Sequence, residues 1–255
     1  MNQNTGFLGG MIPPVTRNLL IINFLVFLAD MLLSQDGTMS KYLALHFVHS
    51  QDFMPHQIIT YMFMHGSFSH IFFNMFALFM FGRTLEAVWG PKRFLSYYLM
   101  TGIGAAVLQL LISYVRYTSL LNELPAEAVA GVLEKIHDQG LLLLQSGRNY
   151  ADPIAGGLNA IVNVPMVGAS GAIFGILVGF GMLFPNAELF IIPFPFPIKA
   201  KYFVIGYGAI ELFLGFSNSP TDNVAHFAHL GGLVTGLIMI MYWKKKGTLN
   251  GNFFK

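Results

Sequence analysis

Apolar runs recur along the whole chain: about Asn18 to Leu33, Phe68 to Ala87, Phe94 to Tyr114, Ser170 to Phe184, Tyr202 to Phe216 and Val224 to Trp243. A helix crossing a bilayer needs about 20 predominantly apolar residues, because the hydrocarbon layer is roughly 30 Å thick. At that depth backbone N–H and C=O groups find partners only within a helix or a closed barrel. The six runs therefore predict helices that span a membrane, the two shortest lying near the lower limit. Charge supports this, with 10% charged and 55% hydrophobic residues where soluble domains carry about 25% charged ones. The expected fold class is all-α: a polytopic membrane protein of six transmembrane helices in one domain. No internal repeat is evident.

Lysine and arginine placement sets the expected orientation. Arg17, Arg83, Lys92, Arg93, Lys199, Lys201, Lys244, Lys245, Lys246 and Lys255 fall on one side of a six-span topology, and Lys41, Arg116, Lys135 and Arg148 on the other. This bias of ten against four puts both termini in the cytoplasm, with residues 1–17 a short tail, 18–243 the membrane domain and 244–255 a basic tail. The first residues carry no charge before Arg17 and no cleavage pattern, and so do not read as a signal peptide. The short loops and charge bias point to a bacterial inner membrane.

Two external connections are long. Residues 34–55 are apolar enough, through Tyr42-Leu43-Ala44-Leu45-His46-Phe47-Val48, to lie at the membrane interface. Between spans three and four, an insertion of about 116–165 carries Val129, Val132, Leu133 and Ile136 at helical spacing opposite acidic residues. An amphipathic helix is expected there, continued by Leu141 to Leu144 and lying on lipid.

The fourth run opens with Pro165-Met166-Val167-Gly168-Ala169-Ser170-Gly171. Pro165 and Gly168 break the chain, so the helix restarts after them. Ser170 then lies in a first turn whose N–H groups have no intrahelical partner, a setting that suits a nucleophile with part of an oxyanion hole. From Ser170 to Phe184 is about 22 Å at 1.5 Å per residue. Set against roughly 30 Å of hydrocarbon, the serine lies about 8 Å beneath the outer face. Taken alone, Gly-x-Ser-Gly is a weak signal and points first to close helix packing.

Other polar groups share that depth. His65, His70 and Asn74 belong to the start of the second span, and His226 and His229 to the start of the sixth. Polar side chains within membrane spans are rare and mark function by default. His70 and Asn74, four apart, share a helix face, as donors to an oxyanion or as an interhelical clamp. Gly171, Gly175 and Gly179 on the fourth helix, and Gly232 and Gly236 on the sixth, form small-residue stripes that allow close approach. Ser170 and His229 are thereby expected within hydrogen-bond reach, a base and nucleophile for acyl transfer.

These residues resemble the rhomboid intramembrane serine proteases. The matching elements are His65-x4-His70-x3-Asn74, Gly168-Ala169-Ser170-Gly171, and Ala228-His229-x2-Gly232-x3-Gly236, together with Phe81-Gly82-Arg83-Thr84-Leu85-Glu86 and Trp89-Gly90, which is similar to the family's cytoplasmic turn. Similarity extends over about residues 16–243. The resemblance implies a rhomboid-like six-helix bundle and an endopeptidase that cuts in or beside transmembrane segments of membrane proteins. It implies Ser170 as nucleophile and His229 as general base in a dyad without an acidic third member. His70, Asn74 and the backbone N–H of Ser170 would form the oxyanion hole, with Gly168 shaping it. Phe174 takes the place of an aromatic ring against the catalytic imidazole, and His65 that of a supporting histidine.

Where many members carry a Trp-Arg pair in the first loop, this chain has His56-Gln57. Asp30 and Glu211 also lie at membrane depth, read here as groups near helix ends, with a catalytic carboxylate as the lesser alternative. His226 is the competing imidazole. Two histidines on one helix raise a metal site, but no His-Glu-x-x-His motif accompanies them, and neither metal nor organic cofactor is expected. The partners implied are transmembrane substrates and membrane lipids; no basic tract suits nucleic acid, and the sequence sets no oligomeric state. The rival functions are a non-proteolytic binder of membrane helices on the same fold, and a small-solute transporter, for which repeat symmetry is missing.

Overall fold

The computed structural model describes residues 12–34, 37–190, 196–217 and 225–248. Most of both terminal tails and the start of the sixth apolar run lie outside the described residues. The principal helices are α1 (Pro14–Leu33), α2 (Phe68–Trp89), α3 (Pro91–Asn122), α4 (Ala126–Lys135), α5 (Pro153–Asn163), α6 (Ser170–Leu183), α7 (Ala200–Ser217) and α8 (His226–Lys245). A two-residue antiparallel ladder, Glu188–Leu189 with Ile198–Lys199, joins α6 to α7. The fold is all-α in substance, as expected. Four described helices, α1, α2, α3 and α8, are long and apolar enough to cross a membrane. The other two expected spans fall on α6, which has 14 residues, and on α7, which has 18 and carries Lys201 and Glu211.

The shortness of α6 has a packing reason. Eleven of its residues are buried, on every side of the helix, so it is the centre of the bundle rather than a lipid-facing element. Small residues make this possible. A methyl at Gly175 would fall 2.5 Å from Thr101 of α3, and one at Gly236 would fall 2.5 Å from the Tyr97 hydroxyl. That hydroxyl donates to the Gly175 carbonyl at 2.7 Å. Helix α7 is the opposite case, with Tyr202, Ile205, Ile210, Phe213 and Phe216 exposed and only Ala200, Glu211 and Gly215 buried.

At the end of the bundle away from Ser170, the buried Glu86 carboxylate caps α1. It accepts from Val15 N–H (2.9 Å), Thr16 N–H (2.7 Å) and the Thr16 hydroxyl (2.8 Å), where the helix dipole favours negative charge. Trp89 packs edge-on against Trp243 at 5.6 Å, and Arg93 covers Trp243 at 5.4 Å. Most of the cationic side chains expected on one side belong to the helix ends gathered here.

Helix α3 has 32 residues, about 48 Å of helix, and so outruns a hydrocarbon layer of roughly 30 Å. Its far end is covered by the long insertion, which folds as α4, a π turn (Ile136–Gly140), a further turn (Leu141–Gln145) and α5. Ile136, Leu158 and Val162 bury themselves with Tyr117 of α3 and Phe47 of the first loop. The amphipathic helix was expected, but its apolar stripe feeds a small core of its own. The first loop is pinned to the strand before α6 by paired backbone bonds between Leu45 and Met166, 2.9 Å each. Gln57 anchors it from within. Its Oε1 accepts from His46 N–H (3.3 Å) and Met54 N–H (3.0 Å), and its Nε2 donates to the carbonyls of Lys41 (3.0 Å) and Asp52 (2.8 Å).

Candidate active site

Ser170 is the first residue of α6, whose N-terminus has no side-chain cap. The backbone ahead of it turns at Gly168, with φ +122°, a conformation that side-chain-bearing residues rarely adopt. Gly168 N–H donates to the Tyr61 carbonyl at 3.0 Å, and the Tyr61 hydroxyl donates to the Gly102 carbonyl of α3 at 2.8 Å. The turn is thus fixed from below.

His229 lies in the first turn of α8. Its Nε2 is 2.8 Å from Ser170 Oγ, and its ring is parallel to Phe174, 4.4 Å between centroids and 13° between planes. Tyr207 of α7 backs Phe174 at 4.7 Å. The two helices meet this closely because both carry glycine at the crossing. A methyl on Gly232 would collide with the Gly171 carbonyl, and one on Gly171 with Ala105.

His70 approaches from α2. A Cβ at Gly168 would lie 2.7 Å from His70 Nε2 and 3.7 Å from Ser170 Oγ, so the missing side chain leaves space that both groups border. Asn74, one turn on, is buried, and its Nδ2 donor has no hydrogen-bond partner among the described residues. His65 is buried against His70, 5.0 Å between centroids.

The sequence-derived set Ser170, His229, His70, Gly168, Phe174 and His65 therefore meets at one end of the bundle, with Asn74 on the same helix as His70. Asp30 is left in the last turn of α1. His226 does not reach the serine; its ring stands perpendicular to His229 at 6.3 Å, with Nδ1 2.5 Å from Glu211 Oε2. Glu211 was expected to bond near a helix end. Its buried carboxylate also lies 2.9 Å from Nδ1 of His229, on the side of the ring opposite Ser170. Spacing on α7 carried no signal for this contact, because its partners sit on another helix.

Fold and site together define a helical membrane protein with a serine–imidazole pair held inside its bundle. The Rhomboid domain family matches residues 52–246, well over half of the chain, and the protein belongs to that family. It is 28% identical over 188 residues to "Rhomboid protein 1, mitochondrial" of Saccharomyces cerevisiae, covering 74% of this chain and 42% of that protein. It is 27% identical over 187 residues to "RHOMBOID-like protein 12, mitochondrial" of Arabidopsis thaliana, covering 72% and 45%. The chain spans less than half the length of either relative.

Proposed function

We propose that the protein is an intramembrane serine endopeptidase that hydrolyses peptide bonds in or next to transmembrane segments of membrane proteins. The observation that carries this reading is the 2.8 Å contact between Ser170 Oγ and His229 Nε2, inside a rhomboid domain.

In this reading Ser170 Oγ attacks the scissile carbonyl carbon while His229 Nε2 takes the hydroxyl proton. The oxygen of the tetrahedral intermediate faces the space over Gly168 and is stabilised by His70, Asn74 and the Ser170 backbone N–H. His229 returns its proton to the departing amine, leaving an acyl-enzyme. Water entering from the outer side loses a proton to His229 and attacks the ester. Collapse of the second intermediate frees the acid product and restores Ser170. Gly171, Gly232 and Gly236 serve by letting α6 and α8 close, and Phe174 by holding the imidazole plane.

The same reading takes α6 and α7 as spans four and five, for six in all over 18–243, with both termini cytoplasmic and the site opening outward. Lipid is its surroundings and transmembrane proteins its substrates. The short loops and charge bias support a bacterial inner membrane; the mitochondrial names of both relatives weigh against it. Treating the detergent-purified chain with a serine-directed fluorophosphonate tests the chemistry. Mass spectrometry should find the adduct on Ser170, lost in His229→Ala; no adduct, or one elsewhere, would refute the nucleophile.

A further inference from the structure

Helix α7 faces lipid along most of its length, and its buried positions are few. Glu211 is one of them, 3% exposed. Gly215, one turn on, brings α7 against α8; a methyl there would lie 3.3 Å from His226 Cβ. A carboxylate at this depth is costly unless paired and hydrogen-bonded. Its Oε2 meets two imidazole nitrogens, His226 Nδ1 at 2.5 Å and His229 Nδ1 at 2.9 Å. The three ligand-capable groups lie within 4.8 Å of one another; the His226 contact is a hydrogen bond, while His229 Nδ1 lies at ion-pair distance without an aligned hydrogen-bond partner among the described residues.

We propose that Glu211 is a positioning residue for catalysis, a carboxylate that holds His229 from behind and extends the Ser170–His229 pair to a line of three. The proposal rests on the protease reading above. At 2.9 Å a small turn of the ring aligns Nδ1–H with the carboxylate, which then fixes the tautomer in which Nε2 offers its lone pair to the Ser170 hydroxyl. It also stabilises the imidazolium that forms when the serine proton arrives. The proton stays on the ring and Glu211 stays ionised throughout. Phe174 fixes the plane of the ring and Glu211 its rotation within that plane. His226 shares the same oxygen and steadies the carboxylate, which ties α7 to the catalytic end of α8.

The alternative is a purely structural tie between Glu211 and His226. The groups around His229 are Ser170 from α6, Glu211 from α7 with Tyr207 beyond Phe174, His226 on α8, and His70 from α2 with His65 behind it. Only the Glu211 change removes a negative charge from this set.

The test uses the full chain in detergent with a single-span substrate, comparing wild type, Glu211→Gln and Glu211→Asp across pH, with fluorophosphonate labelling of Ser170 alongside. Glu211→Gln should lower kcat/KM at least about tenfold, mainly in kcat, and move its acidic limb down by about one pH unit, because the charge favouring the imidazolium is gone. Glu211→Asp should keep the limb in place with a loss of activity from the longer contact. If the glutamine variant does not accumulate folded, the aspartate variant decides alone, and a wild-type rate there overturns the proposal. A glutamine variant with wild-type rate and limb also overturns it while leaving the protease reading intact. Wild type that neither cuts nor labels fails that reading itself. Activity should persist in EDTA; loss restored by zinc would make the cluster a metal site and overturn the proposal.

Discussion

Gly232 of α8 lies so close to Gly171 of α6 that a methyl group on Gly232 would overlap the Gly171 carbonyl. This crossing sets the distance between the helix that carries the serine and the helix that carries the imidazole. Overpacking at such a contact costs about 1–3 kcal/mol. Gly232→Ala should therefore lower thermal stability in detergent and slow labelling of Ser170 by a phosphonate more than it slows labelling of denatured controls. Wild-type melting and labelling would show that the crossing tolerates a wider spacing.

His70 and Asn74 are assigned to charge that develops only after attack. Their alanine variants should each lose about a hundredfold in kcat, with KM changed by less than about twofold. Steady-state cleavage of a single-span substrate checks this. A large rise in KM at constant kcat would make them substrate-binding groups instead.

The first loop should depend on Gln57. Replacing it with leucine leaves two N–H groups and two carbonyls of the loop without their partner, at a cost of about 3 kcal/mol. Denaturation of Gln57→Leu should show that loss, and limited proteolysis should cut first between Lys41 and Met54. Unchanged stability would mean water replaces the side chain.

His46, in the same loop, gives a pH dependence. Burial holds its imidazole below the ordinary value, and the Ser40 carbonyl, 3.2 Å from Nε2, opposes this more weakly. The unfolded chain thus binds a proton at His46 before the folded protein does. Stability is independent of this group above the ordinary value of about 6.5 and falls as pH drops from there toward the lower folded value. The melting temperature of wild type should decline from pH 7 to pH 5, and less in His46→Gln. Equal declines in both would contradict the assignment.

Much of this was legible in the sequence, for local reasons. Helix positions followed from apolar run lengths, and the restart at Ser170 from Pro165 and Gly168. The meeting of Ser170 with His229 followed from glycines at every fourth position, since such stripes mark where backbones touch. What escaped was tertiary. The shortness of the central helix was legible from its run length, but not its neighbours Thr101, Tyr97 and Trp89, which surround it. The end of α3 beyond Tyr114 carries Arg116, Thr118 and Asn122 and reads as loop; Tyr117 keeps it helical by joining the core formed with Ile136 and Leu158. The role of Gln57 in the loop, and the contact of Glu211 with His229, depend on partners distant in the chain, and residue spacing cannot report them.

Cleavage by the reconstituted protein tests the roles of Ser170 and His229. Wild type, Ser170→Ala and His229→Ala would be placed in lipid vesicles with a single-span substrate, and the products read by mass spectrometry. Wild type should cut within or beside the span, and both variants should be slower by at least about a thousandfold. Equal cutting by Ser170→Ala would contradict the role given to Ser170.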